Sequence, residues 1–144
     1  MKGVIYLVLL IAVVFQLVGC DACLGIGCTE NFNFRIVRKI SGEDLVFSQN
    51  PIYKKDSVFL FSELYAYLVP MSLSDNTKFS STNGAPVDTL YLRLNSIDID
   101  TLLLNYNLVK IKCCKEYGGY GKITGINFNG IMAKKQGDVF LFEK

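Results

Sequence analysis

Apolar and polar residues alternate along much of this chain, and this period of two constrains the fold more than any other feature. In the middle of the chain, Leu90, Leu92 and Leu94 would point to one side of a strand, and the polar residues between them to the other. At helical spacing, the same leucines would be scattered around the axis. The pattern therefore predicts β-strands with one buried face.

Similar alternating stretches recur from Phe32 onward, and clusters of turn-forming residues separate them. No run of ten residues has a convincing amphipathic helical pattern. We therefore expect a single all-β domain over residues 32–144, an antiparallel β-sandwich of immunoglobulin-like or related architecture. The predicted strands are 32–37, 57–62, 88–95, 101–106, 108–115, 122–128 and 138–142, whereas 63–74 fits either a strand or a short helix.

Two local predictions can be compared directly with a structure. Asn129-Gly130 is the best candidate for a two-residue hairpin, because both residues tolerate a positive φ. The predicted strand 108–115 would place Cys113 and Cys114 on opposite faces, because neighbouring side chains of a strand point in opposite directions.

The first 19 residues have the composition of an export signal. Lys2 and the amino terminus provide a positive start, and the run from Gly3 to Gly19 is uncharged and apolar. An uncleaved transmembrane anchor is the alternative, because about 18 apolar residues are the lower limit for a span. The small residue and the cysteine at the end of the run favour cleavage, with a mature chain that begins at Cys20.

The end of this run, Leu17-Val18-Gly19-Cys20, resembles the lipobox of bacterial lipoproteins. The resemblance implies that the Cys20 thiol receives a diacylglyceryl group and that signal peptidase II cuts before it. Two or more acyl chains would hold the protein stably on a membrane. Residues 20–31 contain Gly25 and Gly27 and have little periodicity, so we expect them to form the tether between lipid and domain.

The other four cysteines form an even set once Cys20 is assigned to the lipid. Outside the reducing cytosol, such a set usually forms disulfides, and three pairings are possible here. We expect at least one bridge from Cys23 or Cys28 to the pair Cys113 and Cys114, because closing a long loop restricts the unfolded chain most. A vicinal disulfide within that pair and a thiolate zinc or copper site are the alternatives, although the spacing is not that of a usual zinc knuckle.

Composition excludes several classes of function. The chain has no histidine, which excludes His-dependent catalytic triads and His-zinc sites. Its 15 basic and 13 acidic residues are scattered without a basic run, which does not fit nucleic-acid binding. We therefore expect a non-enzymatic protein without a cofactor.

Asn95, Asp98 and Asp100 lie in a polar stretch between two predicted strands. A turn whose polar side chains accept hydrogen bonds from backbone amides explains them most simply. Calcium is the alternative, because it binds carboxylate and amide oxygens from loops. The order Asp98-Ile99-Asp100-Thr101 also resembles the nucleophile motif of haloacid-dehalogenase-type phosphatases, but that chemistry needs a parallel sheet with crossover helices, which the predicted hairpins do not provide.

A glycine-rich segment supplies the one recognition candidate in the sequence. Tyr117 and Tyr120 flank Gly118-Gly119, and aromatic rings on a loop at the end of a sandwich can offer a flat surface to a peptide or a sugar. A flexible hairpin loop with tyrosines at its edges is the alternative.

Beyond the lipobox, the chain contains four short stretches, 92–95, 100–102, 112–115 and 126–130. These stretches resemble small envelope lipoproteins of Bacteroidota-type bacteria without an assigned activity. This resemblance implies a β-rich exported domain. Surface export in that group favours an acidic cluster after the lipidated cysteine, whereas here Asp21 is followed by Ala22. We therefore expect a periplasm-facing position, with surface display as the alternative.

These features together predict a lipid-anchored β-sandwich that acts as a binding or structural module in the cell envelope. The expected partners are the membrane, through the lipid, and an envelope protein, a peptide or a glycan, but no nucleic acid. A calcium- or thiol-metal-binding envelope protein is the first alternative, and a phosphatase is the remote one.

Overall fold

The structure is a computed structural model that describes residues 27–63, 67–81 and 86–144. The predicted signal peptide, the predicted lipidation residue Cys20 and the disulfide candidate Cys23 lie outside these ranges. Nearly all of the regular structure within them is strand. The strands are β1 (Phe32–Val37), β2 (Phe59–Ser62), β3 (Tyr67–Val69), β4 (Met71–Ser74), β5 (Lys78–Ser81), β6 (Thr89–Arg93), β7 (Ile99–Val109), β8 (Tyr120–Phe128), β9 (Ile131–Met132), β10 (Lys134–Gln136) and β11 (Val139–Glu143). The same ranges contain two 3₁₀ helices, η1 (Lys55–Ser57) and η2 (Lys112–Tyr117).

The strands form two sheets that pack as a β-sandwich, which confirms the predicted fold class. The five-stranded sheet has the order β10-β11-β1-β5-β4, and the six-stranded sheet has the order β3-β2-β6-β7-β8-β9. The pairs within these sheets are antiparallel except for β1 and β11, which are parallel. The sandwich is thus antiparallel apart from this pair, which the alternation could not indicate, because it shows which face of a strand is buried and not the direction of the strand.

The core lies between the two sheets and is built from alternating residues, as the period of two predicts. Leu90, Leu92 and Leu94 are fully buried, and so is every second residue of β1. Aromatic rings join the sheets, since Phe128 stacks on Phe142 with ring centroids 5.0 Å apart. Each buried side chain of this size contributes about 1.5–3 kcal/mol.

The predicted turn at Asn129-Gly130 forms a hairpin, and a second hairpin turn follows at Gly137. Asn129 and Gly130 join β8 to β9 and have φ values of 50° and 83°. A two-residue turn of the primed type requires this pair of positive angles. Gly137, with φ 62°, starts the turn between β10 and β11.

The predicted strand 108–115 is wrong in its second half. β7 ends at Val109, and after two further residues the chain enters η2, so Cys113 and Cys114 belong to a helical turn. The lysines and Ile111 that alternate here are all exposed, so the pattern marks no buried face. The stretch 63–74, which fitted strand or helix, contains β3 and β4.

Candidate functional site

Strand β7 is the longest strand described, and it defines two ends of the sandwich. Its 11 residues span roughly 35 Å at about 3.3 Å per residue. We call the end that contains residues 28–30 and 108–122 the base. We call the opposite end the tip; it contains the loops 38–44 and 95–98, together with Lys144 and the side chains bonded to it.

At the base, a disulfide joins Cys28 to Cys114, 86 residues further along the chain. Both cysteines are buried. This bond confirms the predicted bridge between the N-terminal segment and the cysteine pair. Cys113 is disulfide-bonded as well, which excludes the vicinal bridge because Cys114 is already paired. None of these three sulfurs is therefore a free thiolate for a metal.

The last residues of the predicted tether pack on the base. The Gly121 amide donates a hydrogen bond to the Cys28 carbonyl at 2.9 Å, and the Glu30 amide donates one to the Gly121 carbonyl at 2.9 Å. The Glu30 carboxylate accepts a third from the Ile123 amide at 3.0 Å. Residues from Cys28 onward therefore belong to the folded domain.

The two tyrosines of the predicted recognition segment also lie at the base. Tyr117 ends η2 and, with Leu108, lines an open groove of about 630 Å³. Tyr120 is half-buried at the start of β8. The amide of Gly119 donates to the Cys114 carbonyl, so the glycines form a hydrogen-bonded turn that closes η2.

At the tip, the Lys144 side chain bonds to both carboxylates of the polar stretch. Its Nζ lies 2.6 Å from Asp98 Oδ1 and 2.7 Å from Asp100 Oδ2. The Tyr53 hydroxyl donates to Asp98 at 2.7 Å, and the side-chain amide of Asn129 donates to Asp100 Oδ1 at 2.8 Å. One ammonium group thus occupies the position between the two carboxylates that calcium would bind.

Asn95, the third calcium candidate, lies beside this cluster and bonds to backbone amides. Its Oδ1 accepts hydrogen bonds from the amides of Ile97 and Asp98, both at 2.9 Å, which is the polar turn that the sequence favours. Asp100 lies in β7, which pairs antiparallel with a strand on each side and is not part of the parallel sheet that the phosphatase motif needs. In the described ranges, no group of three or more Cys, Asp or Glu residues is arranged to hold a metal ion.

Three side chains of the tip cluster, Asp98, Lys144 and Tyr53, have shifted pKa values, and burial disfavours the charged form of each. For Asp98 and Lys144, hydrogen bonds outweigh this effect of burial. Burial raises the pKa of Asp98, yet hydrogen bonds from Lys144 and Tyr53 hold it below its usual value. Burial lowers the pKa of Lys144, yet hydrogen bonds to Asp100 and Asp98 raise it above its usual value. Burial and the bond to Asp98 both raise the pKa of Tyr53. These shifts move all three away from neutral pH, so their arrangement suits stability rather than proton transfer.

A third feature lies where the chain passes from one sheet to the other. β3 and β4 are edge strands of different sheets, and Pro70 alone separates them. Between these edges lies a cleft of about 330 Å³, at the lower end of the range for ligand pockets. We call it the side cleft. Its apolar lining includes Val58, Leu60, Leu68, Val69, Leu73 and Phe79, beside the charged Lys55 and Asp56.

Some of this lining remains accessible. Leu68 is 66% exposed and Leu73 is 46% exposed, although both belong to strands. Apolar side chains at an opening with a few charged neighbours are typical of a binding site. Sequence reasoning missed the cleft, and its one signal was Pro70 inside an apolar stretch, because proline interrupts strand pairing.

Comparisons with protein-family models, curated proteins and solved structures find no match for this chain. Across the part of the chain that the structure describes, no helix is long and apolar enough to cross a membrane. The fold and its bonds define an all-β sandwich closed by a long-range disulfide. Its function is therefore inferred from its own residues.

Proposed function

We propose that this chain is a lipid-anchored cell-envelope protein whose sandwich acts as a non-enzymatic binding module. The observation that carries the proposal is the disulfide between Cys28 and Cys114. Such bonds persist in oxidising compartments outside the cytosol. The lipobox that ends at Cys20 predicts export to such a compartment, so the two features agree.

The count of cysteines supports the lipid on Cys20. The chain has five cysteines, an odd number, so disulfides within the chain leave at least one cysteine for another role. With Cys20 as a thioether and Cys28 paired with Cys114, Cys23 is the cysteine left for Cys113. Two disulfides and one lipid bond then account for all five.

The side cleft is the binding site that we favour for this module. Its lining is mostly apolar, and the strands beside it, β3 and β4, are sheet edges that can pair with an added strand. An extended apolar peptide segment of an envelope protein fits both properties. A glycan fits less well, because sugars need convergent polar groups and flat aromatic faces.

The anchor is tested by the intact mass of protein purified from membranes and alkylated without reduction. We expect a chain that begins at Cys20, carries acyl groups and has no alkylated thiol. The Cys20→Ala variant should keep its signal segment and carry no lipid. A wild-type mass that includes Met1, or several alkylated cysteines, would contradict the proposal.

The side cleft is tested with the apolar dye anilinonaphthalene sulfonate. We expect saturable binding that drops several-fold in the double variant Leu68→Ser and Leu73→Ser. The matched control is Ile40→Ser with Ile97→Ser, because these tip residues are 97% and 90% exposed and line no part of the cleft. Equal binding by both double variants would place the apolar site elsewhere.

A further inference from the structure

The base presents apolar side chains and lysines side by side. Leu108, Val109, Ile111 and Tyr117 are each between 37% and 51% exposed. They belong to one short segment that runs from the end of β7 through η2. The exposed lysines within or beside this segment are Lys110, Lys112, Lys115 and Lys122.

Acidic groups near this surface are fewer than the lysines. Glu116 is exposed within η2, and Asp88 lines the groove beside Leu108. The carboxylate of Glu30 is already bonded to the Ile123 amide. The base therefore has an excess of positive charge, whereas Lys144 at the tip is neutralised by two carboxylates.

We propose that the base lies against the membrane surface, with its apolar side chains at the level of the lipid headgroups and its lysines on anionic phospholipids. This inference rests on the proposed lipid at Cys20. The disulfide bonds Cys28 to Cys114 in η2, and every member of the surface lies within eight residues of Cys114. The chain from Cys20 to Cys28 spans at most about 28 Å, so the anchor holds this end of the sandwich nearest to the bilayer.

The chemistry of the surface matches that of an anionic bilayer. Apolar and aromatic side chains enter the boundary between headgroups and acyl chains, while lysines bind the phosphates beside them. Each lysine near an anionic surface strengthens binding about five-fold. The lipid keeps the protein on the membrane, and the surface orients it, so that the side cleft and the tip face away from the lipid.

The chain has no tryptophan, so a single introduced tryptophan reports its own position. The Ile111→Trp variant places it on the base, and Ile97→Trp places it on the tip. We would reconstitute each lipidated mature protein into vesicles of phosphatidylcholine and phosphatidylglycerol with brominated acyl chains. We expect quenched, blue-shifted emission for Ile111→Trp and emission as in water for Ile97→Trp.

A charge-reversed variant tests the role of the lysines. Combining Ile111→Trp with Lys110→Glu, Lys112→Glu and Lys115→Glu should reduce the population held against the anionic surface by about 100-fold or more. Quenching should then fall to that seen in pure phosphatidylcholine vesicles. The Val109→Trp variant provides a second reporter if Ile111→Trp folds poorly.

The outcomes separate this inference from the proposed function. If the protein floats with the vesicles but the base tryptophan is not quenched, or tip and base are quenched equally, the anchor stands and the membrane-facing base is wrong. If the protein does not float with the vesicles at all, the lipid anchor itself is wrong, and the inference falls with it.

Discussion

At the base, Cys28 is bonded to Cys114 across 86 residues, whereas at the tip Lys144 holds Asp98 and Asp100 by charged hydrogen bonds. The covalent closure depends on oxidation and is insensitive to acid. The ionic closure depends on pH and is insensitive to reductant. The two ends of the domain should therefore be destabilised under different conditions, the base by reductant and the tip by a change of pH. Each end can thus be weakened while the other serves as the control.

The largest effect is expected at the base. Replacing Cys23, Cys28, Cys113 and Cys114 together by alanine should lower the free energy of unfolding by about 4–5 kcal/mol, because no second bridge then restricts the long loop that Cys28 and Cys114 close. Urea denaturation of the oxidised wild type and of the variant measures this difference. A loss below about 1 kcal/mol would show that packing alone closes the base.

A smaller effect is expected at the tip. Lys144→Gln should cost about 2 kcal/mol, because it leaves two neighbouring carboxylates without their ammonium partner. The cost stays below that of a fully buried pair, since the Lys144 side chain is 25% exposed. Lys134→Gln is the matched control, because Lys134 pairs with Glu143 while 70% exposed and should cost less than about 1 kcal/mol. Equal costs would contradict a special role for the tip cluster.

The tip cluster should contribute to the pH dependence of stability, and the base disulfide should not. Because the pKa of Asp98 is lowered, its contribution is present above its unfolded pKa of about 4 and is lost as the pH falls through the folded pKa. Because the pKa of Lys144 is raised, its contribution is present below about pH 10 and is lost as the pH rises further. Thermal unfolding across this range should show both losses in the alanine disulfide variant, and reduced losses in Lys144→Gln.

The smallest effect concerns the turn that supports the tip. Gly130→Ala should cost about 1 kcal/mol, because φ at this position is 83° and alanine is strained there. Gly137→Ala, with φ 62° and open space around it, is the control for a turn without a link to the cluster. The same thermal unfolding series measures both. A greater cost at Gly130 would show that the turn also positions Asn129, whose amide bonds to Asp100.

The sequence predicted the parts of the fold that depend on local pattern. The buried leucines of β6 and the hairpin at Asn129-Gly130 were both readable, because side-chain direction and φ preference are properties of neighbouring residues. The bridge from Cys28 to the cysteine pair was also predictable, from parity and loop length. By contrast, the alternation of apolar and charged residues around Ile111 led to a wrong strand prediction. In an exposed segment, such an alternation can occur without a buried face.

The candidate sites depended on contacts that no local pattern carries. The sequence predicts Asp98 and Asp100 in a polar turn, with calcium binding as the alternative. Their partner, Lys144, is more than 40 residues away and lies next to them only because the two sheets pack on each other. The side cleft forms where two sheet edges diverge at Pro70, which is a property of sheet order. Tyr117 was predictable as exposed, but not as a neighbour of the disulfide.

The parallel pair of β1 and β11 has a consequence for the order of events in folding. Phe34 is paired in register with Phe140, more than 100 residues later, so the two parts of the five-stranded sheet, β1-β5-β4 and β10-β11, cannot join until β11 is available. Contacts of such high sequence separation form late and slow the reaction. A chain built in this way stays open while it is being synthesised, and it can complete its sheet only after residues 139–143 are free to join.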